Sequence, residues 1–553
     1  MSSRKSAETP SVLLEDRIDE KDASSDEQVE AKKFPPDVID SDSELLLPSR
    51  RPVAEKKLVR MLDMRLLPTI VLIFILNYID RTAISAARLN GIEKDLHLTD
   101  IQYSTVLAVL YASYVPAQIP SNIFLNRISR PSLYIPLCVI FWGLTSALTG
   151  VAKSYAGILA ARIFVGIPEA AFYPGAMYLL SRWYTRKELA LRGAIIYEGL
   201  LISNAFGSLM AAGILSNMDG KMGIRGWQWL FYIEGAITVC VGLLALWTLP
   251  DYPHNTRWLS PAQKRLARVR LAEDAGEADE DVSGESVLQG LKQALKDPKV
   301  YIFSIMTFGE LLGSSFVNFF PTLTATLGFN TTISLLLAAP PWILATILAC
   351  INAWHADRTG ERFFHVAGPL WGSILGYIIC LSTSSVGGRY VGMFLLASGY
   401  AGFALTLVWV SNAIPRPPSR RSASIAVING CGNLGTLVGS YAWKSEWGPD
   451  YHPSMAIGMA SLILSFVLAL VLRFTLVAQN KALERDQLRN LASDERQRIE
   501  TAAKLEGVTV QEALERKRGF RPLGHFAMDK PRNVFNARVA EFSTHEEEYL
   551  LEM

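Results

Sequence analysis

Runs of about twenty mostly apolar residues, the length that crosses a hydrocarbon core, recur along this 553-residue chain. Twelve can be marked, near 66–87, 103–125, 132–152, 155–180, 193–215, 227–249, 299–325, 332–354, 363–383, 390–411, 422–443 and 453–475. A polar insert at 250–298, carrying Lys264-Arg265, Glu273-Asp274 and a cluster of acids at 277–281, divides them six plus six. The pattern predicts an all-α membrane protein with twelve transmembrane helices in two six-helix halves. Its parts are a disordered acidic tail (1–55), an N-terminal bundle (56–249), a linker (250–298), a C-terminal bundle (299–475) and a charged tail (476–553).

Loop charges then orient the bundle. Arg51, Lys56, Lys57, Arg60 and Arg65 precede the first span, and Arg127 and Arg130 follow the second. Arg182, Arg186, Lys187 and Arg192 follow the fourth, Arg358 and Arg362 the eighth, and Arg416, Arg420 and Arg421 the tenth. The alternate loops carry few bases, so both termini and the linker are expected on the cytoplasmic side. The sequon Asn330-Thr331-Thr332 falls in a predicted outer loop, close to the membrane. Glycines such as Gly432, Gly435 and Gly439 suit close helix approach.

Composition narrows the class. Apolar residues make up 50% and charged residues 19%, with mean hydropathy +0.21; a soluble enzyme of this length would carry nearer a quarter charged. Residues 1–50 hold thirteen acids and seven bases and lack an apolar run, so no cleavable signal peptide is expected. All five cysteines lie in apolar stretches, where they behave as small hydrophobes. There is no P-loop, no His/Cys cluster with metal spacing and no nucleophile motif in a sensible context. The expectation is therefore a protein that is not an enzyme, with no cofactor, no metal and no nucleic-acid partner.

Against this background a few ionisable residues stand out. Asp80 and Arg81 lie within the first span, Arg162 and Glu169 within the fourth, and Glu310 within the seventh. A charge at that depth costs roughly 2.5–3.5 kcal/mol even on an insertion scale, so it usually marks a pathway or pairs with another charge. Arg162 and Glu169 are seven residues apart, nearly two turns, and so share a face about 10 Å apart; Pro168 is placed to kink the helix between them. Asp80 and Arg81 point about 100° apart, so one is expected to reach a central cavity while the other ties span one to span four. Buried arginine holds a carboxylate through two parallel hydrogen bonds. A carboxyl beside it feels desolvation and arginine in opposite directions, which suits a proton carrier. Glu310 reads equally as a second protonation site or a packing acid, and Glu234 of span six reads at least as readily as a helix-pairing acid as it does as a functional one.

Several runs resemble the major facilitator superfamily, and within it the anion:cation symporter branch of fungal permeases. These are Asn77-Tyr78-Ile79-Asp80-Arg81, the stretch from Arg162 through Gly166 and Glu169 to Pro174-Gly175, Trp229-Leu230-Phe231-Tyr232-Ile233-Glu234-Gly235, and Leu249-Pro250-Asp251-Tyr252-Pro253. The gating-loop motif stands between spans eight and nine as Asp357-Arg358-Thr359-Gly360-Glu361-Arg362, whereas its counterpart at 126–131 lacks the acid. The resemblance implies proton-coupled symport of a small carboxylate-bearing organic anion (nicotinate-, allantoate- or pantothenate-like) by alternating access at the plasma membrane. The buried charges and their neighbours assign Arg162, Arg81, Asn77 and Tyr78 to the substrate and Glu169, Asp80 and Glu310 to protons, and the resemblance assigns Asp357, Arg358 and Arg362 to the gate. The carrier is expected to be monomeric, with the small anion, protons and the lipid bilayer as partners. An exporter or organellar transporter of a fungal metabolite is the main alternative, with dileucine-like runs at 42–47 and 546–551 compatible with vacuolar sorting; a nutrient receptor is the third reading.

Overall fold

The computed structural model describes residues 50–279, 287–414, 418–490 and 503–504; the acidic N-terminal tail and most of the C-terminal tail lie outside them. The described residues form helices and no strands. The N-terminal half contains α1 (Arg51–Leu89), α2 (Asp100–Arg127), α3 (Pro131–Thr149), α4 (Tyr155–Glu169), α5 (Phe172–Ser181), α6 (Arg186–Met218) and α7 (Gly226–Thr248). Two linker helices follow, α8 (Pro261–Asp279) and α9 (Val287–Lys296). The C-terminal half contains α10 (Pro298–Gly313), α11 (Phe320–Ala325), α12 (Thr331–Thr359), α13 (Phe363–Ser382), α14 (Val386–Ser398), α15 (Tyr400–Ala413), α16 (Pro418–Gly439) and α17 (His452–Asn490).

Local signals set the helix starts. Thr99 and Gln102 form a reciprocal capping box at α2, Ser154 accepts from the Gly157 amide at α4, and Ser385 accepts from Gly388 at α14. Each satisfies amide donors that have no partner within the helix. Gly360, at φ 70°, ends α12 in the left-handed conformation that favours glycine.

Nine stretches among the described residues are long and apolar enough to cross a membrane, and α4–α5, α10–α11 and α14–α15 count as one each. The chain is a multi-pass membrane protein. Helices α1, α2 and α16 occupy the positions expected for spans one, two and eleven but fall outside those nine.

Within each half the helices pack closely. Helix α3 lies along α7, α2 along α4, α10 along α16 and α17, and α13 along α14. A Cβ on Gly166 would sit 2.2 Å from Ser113 Oγ and 2.8 Å from the Leu110 carbonyl, so only glycine allows α4 to lie this close to α2. Gly435 does the same for α16, where a Cβ would fall 2.3 Å from the Phe308 carbonyl on α10. The halves meet where α6 runs along α12, α2 along α16, and α1 against α11.

Candidate functional site

The first centre lies where α4 breaks. Pro168 sits one residue before the end of α4, and the chain passes through Ala170 and Ala171 before α5 resumes at Phe172. Glu169 therefore projects from an interrupted helix and is 2% exposed. Its Oε1 accepts from Asn77 Nδ2 at 2.7 Å and from Arg81 Nε, two residues one turn apart on α1. The Arg81 guanidinium is also wrapped by rings, with centroids at 4.5 Å for Tyr114, 5.0 Å for Tyr78 and 5.8 Å for Tyr111. Cation–π attraction of this kind strengthens when water is excluded. Glu169 Oε2 has no hydrogen-bond partner. The arrangement is an arginine whose fork is only partly used, beside a carboxylate with one oxygen to spare.

Asp80 turns away from that centre. It accepts from Thr238 Oγ1 at 2.9 Å, Ser146 Oγ at 3.0 Å and Trp142 Nε1 at 3.1 Å, which ties α1 to α3 and α7. The 100° divergence of consecutive residues thus sends Arg81 toward Glu169 and Asp80 into the packed interior of the half. Arg162 is likewise deep, 3% exposed, with Nη1 at a long 3.4 Å from the Asp80 backbone carbonyl. Its guanidinium carbon lies 5.9 Å from the Phe231 ring centre, and its Nε and Nη2 have no partner. Arg162 and Glu169 share one helix, but the carboxylate is engaged by α1.

In the C-terminal half, Glu310 Oε1 accepts from Thr406 Oγ1 at 3.1 Å while Oε2 is unpartnered. Trp342 stacks on Phe316 and meets Phe320 at a tilt and Tyr400 edge-on, and Trp409 meets Phe303 and Phe363 edge-on. At the turn between α12 and α13, Arg362 Nη2 donates to Asp357 Oδ1 at 2.7 Å, and Arg358 lies 5.5 Å from the Trp354 ring centre. Asn330 of the sequon caps α12 by accepting from the Ile333 amide at 2.9 Å.

The two halves are latched at the predicted outer end. Arg88 Nη2, on α1, lies 2.6 Å from Ser445 Oγ of the C-terminal half and 3.3 Å from Asp100. Asp100 in turn accepts from the Ser445 amide at 3.0 Å and from its hydroxyl. Tyr441 reaches Thr105 at 3.1 Å, and Ser85 donates to the Asn318 carbonyl. At the opposite end each half holds its own part of the linker. Arg270 of α8 donates to Glu188 at 2.9 Å and to the Trp183 carbonyl at 2.7 Å, whereas Arg420 pairs with Asp297 just beyond α9.

Sequence reasoning did not single out Tyr111 and Tyr114, although their spacing of three puts both on one face of α2. Nor did it find Trp142, Ser146 and Thr238, polar groups on apolar helices whose only signal was being unusual where they stand. The latch residues Asp100 and Ser445 read as ordinary loop residues.

Comparison with known proteins fits this architecture. Residues 70–440 match the family model described as Major Facilitator Superfamily. The chain is 34% identical over 412 residues to the MFS-type transporter cnsO of Penicillium expansum, covering 72% of this chain and 79% of that one. It is 29% identical over 398 residues to a putative tartrate transporter of Agrobacterium vitis, covering 70% and 84%. Among solved structures, a bacterial homolog of the human lysosomal transporter Spinster superimposes with TM-score 0.56 at 18% identity, covering 74% of this chain and 94% of that one. A D-xylose-proton symporter does so with TM-score 0.53 at 15% identity, covering 72% and 96%. Relatives of this kind carry small molecules across membranes and are not enzymes. On the family model and the fungal relative together, the chain belongs to the major facilitator superfamily.

Proposed function

We propose that this transporter carries a small carboxylate-bearing organic anion together with protons, by alternating access through twelve helices, as a monomer in the plasma membrane. The observation that carries the reading is the buried Arg81–Glu169 pair, with Asn77 on the same carboxylate oxygen and three tyrosines around the guanidinium. An arginine is always charged and matches a carboxylate in shape. A substrate carboxylate would compete with Glu169 for it, and a proton on Glu169 would release the arginine to the substrate. Losing that proton on the other side would let Glu169 reclaim Arg81 and expel the anion. A ligand drives such a cycle only through different affinities for its states, and the exchange of partners supplies that difference. Asp80 fixes α1 to α3 and α7 behind this centre, Arg162 with two unpartnered nitrogens is a further anchor for the anion, and Glu310 is a buried acid of the second half available to a proton.

The match to a putative tartrate transporter supports a carboxylate cargo, as do the resemblances in the Asn77–Arg81 run. The latch around Arg88, Asp100 and Ser445 supports an inward-open or occluded state. The test is uptake by proteoliposomes of a labelled panel (nicotinate, pantothenate, allantoate, tartrate) with and without an inward proton gradient. At least one anion should accumulate only with the gradient; accumulation indifferent to the gradient and to protonophores defeats the symport reading. In the same vesicles Glu169→Gln should retain counterflow exchange and lose accumulation by at least about tenfold, equivalent to 1.4 kcal/mol.

A further inference from the structure

Glu234 is a buried acid for which this cycle has no use. It sits on α7, 1% exposed, and its Oε2 has no hydrogen-bond partner. An ionised carboxylate stranded in this way costs several kcal/mol, and in native proteins such a group acquires a partner or a proton. Helix pairing would explain Glu234 only through a donor on a neighbouring helix, and none reaches Oε2.

What the carboxyl does reach is a pocket between the two halves. Glu234 borders it together with Thr82 of α1, Asn204 and Ser208 of α6, and Phe320 and Trp342 of the second half. The three polar neighbours have already spent donors on their own helices. Thr82 Oγ1 donates to the Tyr78 carbonyl at 3.0 Å, Ser208 Oγ to the Asn204 carbonyl at 2.8 Å, and Asn204 Nδ2 to the Leu200 carbonyl at 2.9 Å. Their oxygens remain as acceptors, suited to a water or hydronium ion on its way to an acid. The wall has no base to stop a cation and one carboxyl to receive its proton.

The charged groups acting on Glu234 are Asp80 from α1 and Arg162 from α4. The side chains α6, α11 and α12 contribute to the pocket do not titrate, and those of α3 nearest Asp80 are Trp142 and Ser146. Arg162 has two nitrogens without partners. A change of charge at Glu234 is therefore felt directly at the Asp80 carboxylate and at Arg162, and through Arg162 at Glu169 on the same helix.

We propose that Glu234 is a second proton-binding site of this carrier, loaded through the pocket between α1, α6 and α7 and coupled to the anion centre through Arg162. The proposal rests on the proton-coupled reading above, extending it from one titrating carboxyl to two. A proton adds to the Glu234 carboxylate from water in the pocket and leaves by the reverse step, so no other reactant is needed.

The experiment uses pH alone as the probe and needs no substrate. The full-length protein in liposomes is titrated while the carbonyl stretch of protonated carboxylic acids is followed by infrared difference spectroscopy. The wild-type spectrum should contain a component that disappears as pH rises and is lost in Glu234→Gln but kept in Glu310→Gln. Glu234→Asp should restore the component with a displaced midpoint, and this variant decides the matter if Glu234→Gln does not fold. A Glu234→Gln spectrum that titrates like wild type overturns the proposal, and so does a Glu234→Asp midpoint that has not moved. Failure of the symport reading would show separately, as anion uptake indifferent to the proton gradient in the same liposomes.

Discussion

Asp80 and Arg81 are neighbours in sequence with unlike surroundings, and each makes a distinct prediction. Asp80 receives three donors from α3 and α7. In Asp80→Asn the amide presents its own N–H groups to some of them, and a buried donor left unsatisfied costs about 1–3 kcal/mol. Thermal unfolding in detergent should therefore show a clear loss of stability in Asp80→Asn. An unchanged melting temperature would remove its scaffold role. Arg81→Lys keeps the charge but loses the planar face that three tyrosines cover and the fork that meets a carboxylate. Under the proposed reading its apparent affinity for the transported anion should fall at least about tenfold, or 1.4 kcal/mol, with little change in melting temperature; unaltered affinity would detach Arg81 from the substrate. The sequence made these charges conspicuous because ionisable residues are expensive inside apolar helices. It left open which of the pair faces the cavity and which is scaffold, because that depends on how α1 is rotated against α3, α4 and α7. The tyrosines of α2 were illegible for a plainer reason: a tyrosine in a membrane helix is cheap and so draws no notice.

Individual helices were read well wherever hydropathy decides and less well wherever packing does. The stretch from Thr331 to Thr359 is apolar throughout and stands out unaided. By contrast, α16 is rich in small and polar residues, because it lies so close to α10 that Gly435 meets a carbonyl. Pro168 pointed to a kink, and the chain there interrupts its helix over two residues before resuming at Phe172. The linker appeared in the sequence as a polar insert; that α8 is fastened to the N-terminal half could not be read, since its partners lie more than eighty residues away. One of those fastenings depends on pH. The Arg51 guanidinium hydrogen-bonded to Glu273 holds that carboxyl below the usual glutamate range. A lowered folded-state value means that the pair contributes above the unfolded value, near 4.3, and fades as pH falls through the folded one. Protection of the 261–279 amides against hydrogen exchange, taken relative to the intrinsic rate at each pH, should therefore fall only below about pH 4, and high salt should weaken the same contact because Glu273 is exposed. Unchanged protection at acid pH would show that Arg270 and Glu188 hold α8 alone.

At the scale of the whole molecule, two halves are latched at one end by Arg88, Asp100 and Ser445. Asp100→Asn keeps the shape but weakens the acceptor that holds both the arginine and the serine. Spin labels at Ile101 and Glu446, both exposed, should report a longer-distance population in this variant than in wild type. An identical distance distribution would mean that apolar packing, such as Tyr103 against Phe319, closes this end unaided. That the chain crosses a bilayer many times was legible from hydropathy, because the bilayer forces long apolar helices on any such chain. The latch was not, since it joins residues more than three hundred positions apart.

The pairing of Arg81 with Glu169 has an electrical consequence. Together the two groups carry no net charge, so a carrier that returns empty with this pair formed moves none of that charge through the field across the bilayer. Moving one unpaired charge across 100 mV would cost or release about 2.3 kcal/mol. As far as this pair is concerned, membrane voltage acts only on the loaded half of the cycle. Under the proposed symport its sign there is set by how many protons accompany each anion, and this pair by itself adds no voltage dependence to the empty return.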